Sequence, residues 1–268
     1  MNRLTTAFIL VAFLIGVVFW VPLPVFVGVV AAAIGVGLHE YFSLVLNKRD
    51  AVLRRIGLGA GLMAPLFFWV KMPNGPWLGL VAALFMVMTL VLFLRPPTRE
   101  LPADLGKVFF GVVYVGGFLS SIIGLRTLPS GPYWVLLVFV ITACTDTGAY
   151  FTGRTIGKHK LMPAVSPKKT VEGAVGGLIA ALVCALIYRS LFLHALSVKH
   201  VVIMSLGLSI VGQLGDLIES MLKRAVGAKD SGTIFPGHGG LLDRIDSALV
   251  ALPAAYLYIN ITGVVRPG

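Results

Sequence analysis

The chain of 268 residues is 57% hydrophobic and 12% charged, and its mean hydropathy is +0.94. Soluble domains are about 45–50% apolar and about 25% charged, so this composition excludes a water-soluble globular enzyme, a disordered chain and a fibrous repeat. The apolar runs are long and continuous rather than alternating, which favours a bundle of membrane-spanning helices over a barrel. The net charge of +11 is interpreted as basic cytoplasmic loops and not as a nucleic-acid-binding surface.

The sequence predicts an all-α polytopic membrane protein with about nine transmembrane helices, because each run provides the roughly 20 apolar residues that a hydrocarbon core requires. Breaks rich in proline, glycine or charge separate the runs. In chain order the predicted spans are residues 4–21, 24–46, 53–70, 76–94, 105–126, 132–153, 171–193, 198–222 and 240–264. Residues 1–130 form the N-terminal helices, and residues 131–268 form a second half with polar loops at 154–170 and 223–240.

The distribution of basic residues predicts the orientation of the bundle. With nine spans, 17 of the 22 Lys and Arg residues fall on the side of the N-terminus. Because cytoplasmic loops are enriched in Lys and Arg, the N-terminus is predicted to be cytoplasmic and the C-terminus to lie outside.

Acidic residues inside the spans indicate that the functional site lies in the second half of the chain. An ionisable group in a span costs about 2.5–3.5 kcal/mol on insertion scales, so it is a functional candidate. Asp146 lies in the sixth span, and Asp216 and Glu219 lie in the eighth, where their spacing puts them on one helix face together with Lys223. The alternative is an ion pair between helices that only holds the bundle together.

The segment 220–246 combines a basic helix end, a glycine-rich loop and a new helix that begins near Gly239 and Gly240. Backbone amides of such a loop and the N-terminus of the helix are suited to bind phosphate. Asp243 and Asp246, in the first turn, would repel a phosphate unless a cation such as Mg²⁺ lies between them. The alternative is a solvated charged loop that Asp243 caps. The basic residues of this segment are Lys223, Arg224, Lys229 and Arg244.

A second polar cluster, residues 166–173, precedes the seventh span. Thr170 is suited to cap that helix, and Glu172 would then favour its N-terminus. The functional interpretation adds Ser166, Lys168 and Lys169 as phosphate ligands on the same face.

The order and spacing of these residues resemble the signature of the CDP-diacylglycerol synthase (phosphatidate cytidylyltransferase) family. The signature residues in the segment are Ser220, Lys223, Arg224, Lys229, Asp230, His238, Gly239, Gly240, Asp243, Arg244 and Asp246. The segments 166–173 and 146–150 also resemble that family, so that the matches cover about half of the chain.

The resemblance implies an enzyme of phospholipid biosynthesis that transfers CMP from CTP to phosphatidate and releases pyrophosphate. It implies a divalent cation, Mg²⁺, with Asp216 and Asp243 as ligands, Asp246 and Asp146 as further candidates, and room for a second cation. His238 is expected to donate a hydrogen bond to phosphate rather than to act as a base, because a phosphate monoester is already largely ionised at pH 7. The resemblance further suggests a homodimer. Because CTP is soluble and phosphatidate stays in the leaflet, the active site is expected on the cytoplasmic face of the inner (plasma) membrane.

The candidate residues divide into two groups. The candidates for catalysis are Asp216, Asp243, Lys223, His238 and Asp246. The candidates for substrate binding are Ser166, Lys168, Lys169, Thr170, Glu172, Arg224, Lys229, Asp230 and Arg244.

Two other functions fit the sequence less well, and one side-chain pair in the first half is given no catalytic role. A cation-coupled transporter would use Asp146, Asp216 and Glu219, but no internal repeat supports it and the chemistry lies on one side of the membrane. A CDP-alcohol phosphotransferase would require an Asp-Gly-x-x-Ala-Arg pattern, which residues 243–246 lack. His39 and Glu40, in the second span, are interpreted as a hydrogen-bonded or snorkelling pair without a catalytic role.

Overall fold

The computed structural model describes residues 3–47, 50–70, 74–232, 234 and 239–264, with the backbone only for residues 3–10. The N-terminal half contains α1 (Arg3–Trp20), α2 (Leu23–Val45), α3 (Ala51–Gly61), α4 (Ala64–Trp69), α5 (Gly75–Leu94), α6 (Leu101–Gly111), a π-helical turn (Val112–Gly117) and α7 (Phe118–Arg126). The second half contains α8 (Gly131–Ile156), β1 (Lys160–Met162), β2 (Ser166–Thr170), α9 (Val171–Phe192), α10 (Val198–Ala225) and α11 (Leu242–Thr262).

The predicted all-α membrane fold is confirmed. Within the described residues, eight helical segments are long and apolar enough to cross a membrane, and Val11–Trp20 of α1 is a shorter apolar helix. Proline at the first or second position starts α2, α5, α6 and α8, where its missing N–H has no helical partner to lose. The protein is therefore a multi-pass membrane protein, and its orientation in the membrane stays a prediction.

Two predicted spans are not regular α-helices. The span 53–70 is broken at Leu62 and Met63 into α3 and α4. The span 105–126 begins earlier, at Leu101, and includes the π-helical turn. Gly116 in this turn lies so close to Gly61 that a Cβ would be 2.9 Å from the Gly61 Cα, which shows how closely the two segments cross. Pattern alone gives the apolar run but not these interruptions, which arise from packing.

The polar loop 154–170 is more ordered than its composition predicts. Its second part forms an antiparallel hairpin, in which Lys160 pairs with Thr170 and Met162 with Ser166. The hairpin leads directly into α9, because Thr170 is the N-cap of that helix and its hydroxyl accepts a hydrogen bond from the Gly173 N–H. The predicted capping role of Thr170 is confirmed.

The helices of the second half pack closely through small residues. The buried residues of α9 are Gly173, Gly177, Ala181, Ala185 and Tyr188, all but the last in steps of four. A stripe of this kind allows two helix backbones to approach closely. Its partner is α8, since a Cβ on Gly177 would lie 2.8 Å from the Thr145 carbonyl oxygen.

The antiparallel order of α8 to α11 brings the polar segments to one end of the bundle. The C-terminal ends of α8 and α10 meet the N-terminal ends of α9 and α11 there, together with the hairpin and the end of α2 that carries Glu40. Helix α10 ends beside this group in a Schellman motif, in which Gly227 has a φ of 70° and the Ala228 N–H bonds to the Lys223 carbonyl.

Candidate active site

Lys223 joins the last two helices at the polar end of the bundle. Its ammonium nitrogen lies 2.7 Å from Glu219 Oε2, one turn earlier in α10, and 2.5 Å from Asp243 Oδ1 in the first turn of α11. Only 8% of Lys223 is exposed, and the side chains of Glu219 and Asp243 are 4% and 10% exposed. The predicted face shared by Glu219 and Lys223 is confirmed, and the ion pair extends to a second helix.

Asp243 is held from both sides. Its Oδ2 accepts hydrogen bonds from the Gly240 N–H at 2.8 Å and from the Ser231 N–H at 2.8 Å, and it lies 2.9 Å from the Ser231 hydroxyl. Gly239, whose φ is 80°, allows this turn, since a Cβ there would lie 2.5 Å from Asp243 Oδ2. The carboxylate therefore has one orientation, fixed by a cation on one oxygen and by the loop on the other.

The predicted role of the glycine-rich loop changes in the structure. Helix α11 begins at Leu242 rather than near Gly239 and Gly240. The amides of Gly240, Leu241 and Leu242, which were expected to face a phosphate, donate to protein carboxylates instead, namely those of Asp243 and Glu40. A helix N-terminus attracts any anion, and here the chain supplies its own.

Asp216 connects α10 to the hairpin. Its Oδ2 lies 2.5 Å from the ammonium nitrogen of Lys169 on β2, and the two side chains are 25% and 29% exposed. The Ser220 hydroxyl donates to Asp216 Oδ1 at 3.4 Å. The two polar clusters found in the sequence, around residues 166–173 and 220–246, therefore meet in space.

A group of four carboxylates, which we call the acid group, surrounds this meeting point: Asp146 on α8, Asp216 and Glu219 on α10, and Asp246 on α11. The carboxylate of Asp246 lies near enough to the other three to be repelled by each of them. A close approach of α10 and α11 produces this proximity, since a Cβ on Gly215 would lie 2.8 Å from the Asp246 carbonyl oxygen. Glu219 Oε1 is buried and has no hydrogen-bond partner among the described residues.

The donor chemistry of the acid group fits a hard divalent cation. Mg²⁺ prefers oxygen ligands and is usually bound by one or two carboxylates together with substrate phosphates. Mutual repulsion and the buried Glu219 oxygen without a partner are features that a cation would relieve. Within the described residues, no set of three or more acidic, His or Cys side chains is already arranged to hold an ion. The residues present therefore suit a cation that takes its remaining ligands from phosphate.

The other predicted residues of the hairpin region lie around this centre. Ser166 is half-buried and Lys168 is exposed, both on β2. Glu172 faces the end of α8, where its carboxylate accepts from the Lys158 and His159 N–H groups and lies 2.6 Å from His159 Nδ1. The contacts of Thr170 and Glu172 thus order the hairpin.

The remaining predicted residues lie at the surface of the polar end or outside the described part of the chain. Arg224, Lys229, Asp230 and Arg244 are exposed. Arg224 donates to the Ala228 carbonyl oxygen at 3.0 Å and so closes the end of α10. His238 lies outside the described residues.

Two acidic residues of the site had no assigned role in the sequence analysis. Glu219 was placed on the correct helix face but not among the ligands. Glu40 was interpreted as part of a pair with His39, whereas in the structure His39 is exposed and Glu40 is buried against the start of α11. An acidic residue in an otherwise apolar span was the available signal, because burial of a lone carboxylate requires specific partners.

Comparison with known proteins gives consistent findings. The sequence profile of the Cytidylyltransferase family matches residues 1–262. Proteins named phosphatidate cytidylyltransferase are 40% identical over 179 residues in Bacillus subtilis (strain 168), 46% over 151 residues in Staphylococcus saprophyticus and 41% over 186 residues in Staphylococcus aureus (strain COL). The aligned regions are 66%, 56% and 67% of this chain, and they cover 66%, 57% and 70% of the length of those relatives. The chain thus covers less than two thirds of the first two.

Proposed function

Because the chain belongs to the cytidylyltransferase family and is a membrane nucleotidyltransferase, we propose that it is a phosphatidate cytidylyltransferase. In this proposal, a phosphate oxygen of phosphatidate attacks the α-phosphorus of CTP, a new P–O bond forms, and the bond to the β-phosphate oxygen breaks. The products are CDP-diacylglycerol and pyrophosphate. The single observation that carries the proposal is the meeting of Lys169, Asp216, Glu219, Lys223 and Asp243 at one end of an apolar bundle.

The charges of the site suit this reaction. Both substrates and the leaving pyrophosphate are anionic, so the barrier is lowered mainly by positioning and by electrostatic stabilisation. Lys169 and Lys223 form ion pairs with two members of the acid group, Asp216 and Glu219. Exposed cations at the same end, which would receive the leaving pyrophosphate, are Lys168, Arg224, Lys229 and Arg244.

A divalent cation, Mg²⁺, is part of the proposal. The acid group and Asp243 would hold it, with Asp216 and Asp243 as the principal ligands and Asp246 and Asp146 as further candidates. Bound there, the cation would supply charge neutralisation between carboxylates and triphosphate. A second cation stays a prediction of the family resemblance.

The lipid substrate requires an apolar site that adjoins the polar one. An apolar cavity of about 300 Å³ is lined by Phe110, Val113, Tyr114, Phe118, Ile218 and Val250. Tyr114, 4% exposed, lies on the π-helical turn; its hydroxyl has no hydrogen-bond partner among the described residues and is close enough to Asp216, Glu219 and Asp246 to interact electrostatically. We propose that this cavity receives the start of an acyl chain and that the Tyr114 hydroxyl faces the headgroup.

The location of the protein follows from its substrates. CTP is dissolved in the cytoplasm, and phosphatidate stays in the membrane. We therefore propose the inner (plasma) membrane, with the site on the cytoplasmic face, and a homodimer remains an expectation from the family resemblance.

The direct test is an assay of the purified protein in detergent with Mg²⁺, phosphatidate and labelled CTP. We expect release of pyrophosphate and formation of labelled lipid. Asp216→Asn should lower kcat by about 10²–10³-fold, the usual effect of removing one electrostatic contribution to a transition state. The control is Glu100→Gln, an exposed acid outside the site, which should keep the wild-type rate.

Three outcomes would contradict the proposal. A wild-type protein without turnover would remove the reaction, and an Asp216→Asn or Asp243→Ala variant with wild-type turnover would remove the metal assignment. Ion flux across proteoliposomes without consumption of CTP would favour a transporter.

A further inference from the structure

Glu40 lies in the N-terminal half of the chain and contacts the start of the last helix. It is 3% exposed, and its two carboxylate oxygens accept hydrogen bonds from the Leu241 N–H at 2.9 Å and the Leu242 N–H at 3.0 Å. These partners are about 200 positions away in sequence. Glu40 therefore fills, from α2, the role that an N-cap side chain normally has within its own helix.

The glycine-rich loop closes around this carboxylate. A Cβ on Gly240 would lie 2.5 Å from Glu40 Oε2, and a Cβ on Gly232 would lie 2.7 Å from Glu40 Oε1. Both distances are shorter than real Cβ contacts, so only glycine at these two positions allows the backbone to approach the carboxylate so closely. Glu40 is thus in close contact with the loop at Gly232 and at Gly240, which lie before and after the residues outside the described part.

Ser231 connects Glu40 to Asp243. Its hydroxyl oxygen lies 3.2 Å from Glu40 Oε2 and 2.9 Å from Asp243 Oδ2, and it accepts from the Asp243 N–H at 3.3 Å. Since a hydroxyl has one proton, that proton is shared between the two carboxylates. A displacement of Glu40 would therefore change the orientation of Asp243 through one intervening side chain, Ser231.

The contacts suit a carboxylate and no neutral side chain. Two backbone amides at a helix N-terminus and one hydroxyl all point hydrogen atoms at the same group, and the helix dipole favours negative charge there. A glutamine has the same size, but its NH₂ group would face at least one of the backbone N–H groups. Both groups are donors, so no hydrogen bond could form between them.

We propose that Glu40 is a positioning residue, which fixes the N-terminus of α11 and, through Ser231, the orientation of Asp243 for cation binding. The expected effect on kcat and on the Mg²⁺ requirement rests on the proposed function. The expected effect on the N-terminus of α11 does not. In this proposal the second half of the chain does not form the active site alone, because Glu40 of the N-terminal half is part of it.

The test compares Glu40→Gln with Asp104→Asn in the full-length protein. Asp104 is a matched control because it is also a buried acid, 4% exposed, whose ion pair is with Lys107 on its own helix α6; among the described residues it forms no ion pair with a residue of the site. For Glu40→Gln we expect kcat to fall at least tenfold, the Mg²⁺ concentration for half-maximal rate to rise several-fold, and the KM for CTP at saturating Mg²⁺ to change less than twofold. Asp104→Asn should leave all three unchanged. Glu40→Asp, which keeps the charge, should recover part of the rate.

A second measurement does not depend on the reaction. Hydrogen exchange of peptides covering residues 239–246 should be at least tenfold faster in Glu40→Gln than in the wild type, and unchanged in Asp104→Asn. An inactive wild type would overturn the proposed function, while faster exchange in Glu40→Gln would still support the contact. An active Glu40→Gln with wild-type kcat and Mg²⁺ dependence would overturn the positioning role.

If Glu40→Gln does not fold, Ser231→Ala decides the question. This variant keeps the two backbone hydrogen bonds of Glu40 and the bond from the Ser231 N–H to Asp243, and it removes the hydroxyl that lies between the two carboxylates and accepts from the Asp243 N–H. A reduced kcat with a raised Mg²⁺ requirement supports the proposal, and wild-type kinetics contradict it.

Discussion

Lys223 is the residue on which two buried acids depend. Its ammonium group is the cation that both Glu219 and Asp243 contact, and all three side chains are at most 10% exposed. Buried carboxylates are stable only when a cation and hydrogen bonds compensate their charge. The contribution of Lys223 to stability is therefore the free energy that would be lost if Glu219 and Asp243 were left without a cation.

Replacement of Lys223 by Met should therefore destabilise the protein and stop the reaction. Removal of one partner from a buried ion pair costs about 3–5 kcal/mol, because it leaves an uncompensated charge. We expect a lower thermal unfolding temperature in detergent and loss of pyrophosphate release. Lys199→Met, an exposed position at the other end of the same helix, is the control and should change neither. An unaltered unfolding temperature for Lys223→Met would show that the ion pairs contribute nothing to the fold.

The α8–α9 pair is the element that places Lys169 beside Asp216. Small residues on the facing sides allow the two helix backbones to approach closely. Because the hairpin connects these two helices, their packing determines its position. A Cβ on Gly148 would lie 2.5 Å from the Ala180 Cβ and 2.9 Å from the Gly176 carbonyl oxygen. Neither contact is with a flexible side chain, so a larger residue must separate the helices.

Gly148→Ala should thus be destabilising, although alanine is the better helix former. Overpacking of this kind costs about 1–3 kcal/mol. The matched control is Gly207→Ala in α10, where no atom lies within 4 Å of the new Cβ and where alanine should stabilise by about 0.5–1 kcal/mol. Opposite shifts in thermal unfolding are expected, and activity should fall only in Gly148→Ala. Equal shifts for the two variants would mean that the close approach of α8 and α9 does not matter.

At the scale of the whole molecule, all described polar contacts of the site lie at one end of the bundle. Substrate access then depends on which side of the membrane that end faces. The bias in Lys and Arg predicts that it faces the cytoplasm.

Labelling of single cysteines in intact cells tests this orientation. In a background with Cys144 and Cys184 replaced by Ala, Asn47→Cys lies at the polar end and Ala195→Cys at the opposite end, and both positions are exposed. A membrane-impermeant thiol reagent should label only Ala195→Cys in intact cells, and both positions after lysis. The reverse pattern would contradict the predicted orientation and, with it, a cytoplasmic site.

Local patterns in the sequence were sufficient for the helices, the cap at Thr170 and the face shared by Glu219 and Lys223. Each of these depends on residues a few positions apart, whose relation is set by the helical repeat. The breaks at Leu62 and in the π-helical turn were missed because they respond to neighbouring helices and leave the apolar run intact.

The sequence by itself determined that this chain is a multi-pass helical protein, and it predicted the chemistry in the second half, because hydropathy and clustered charge are local properties. Only the tertiary structure decided that Lys169 pairs with Asp216, that Lys223 joins α10 to α11, and that Glu40 caps a helix about 200 residues away. The physical reason is that a carboxylate takes the nearest donor in space, and that donor is set by how closely the small residues let the helices pack.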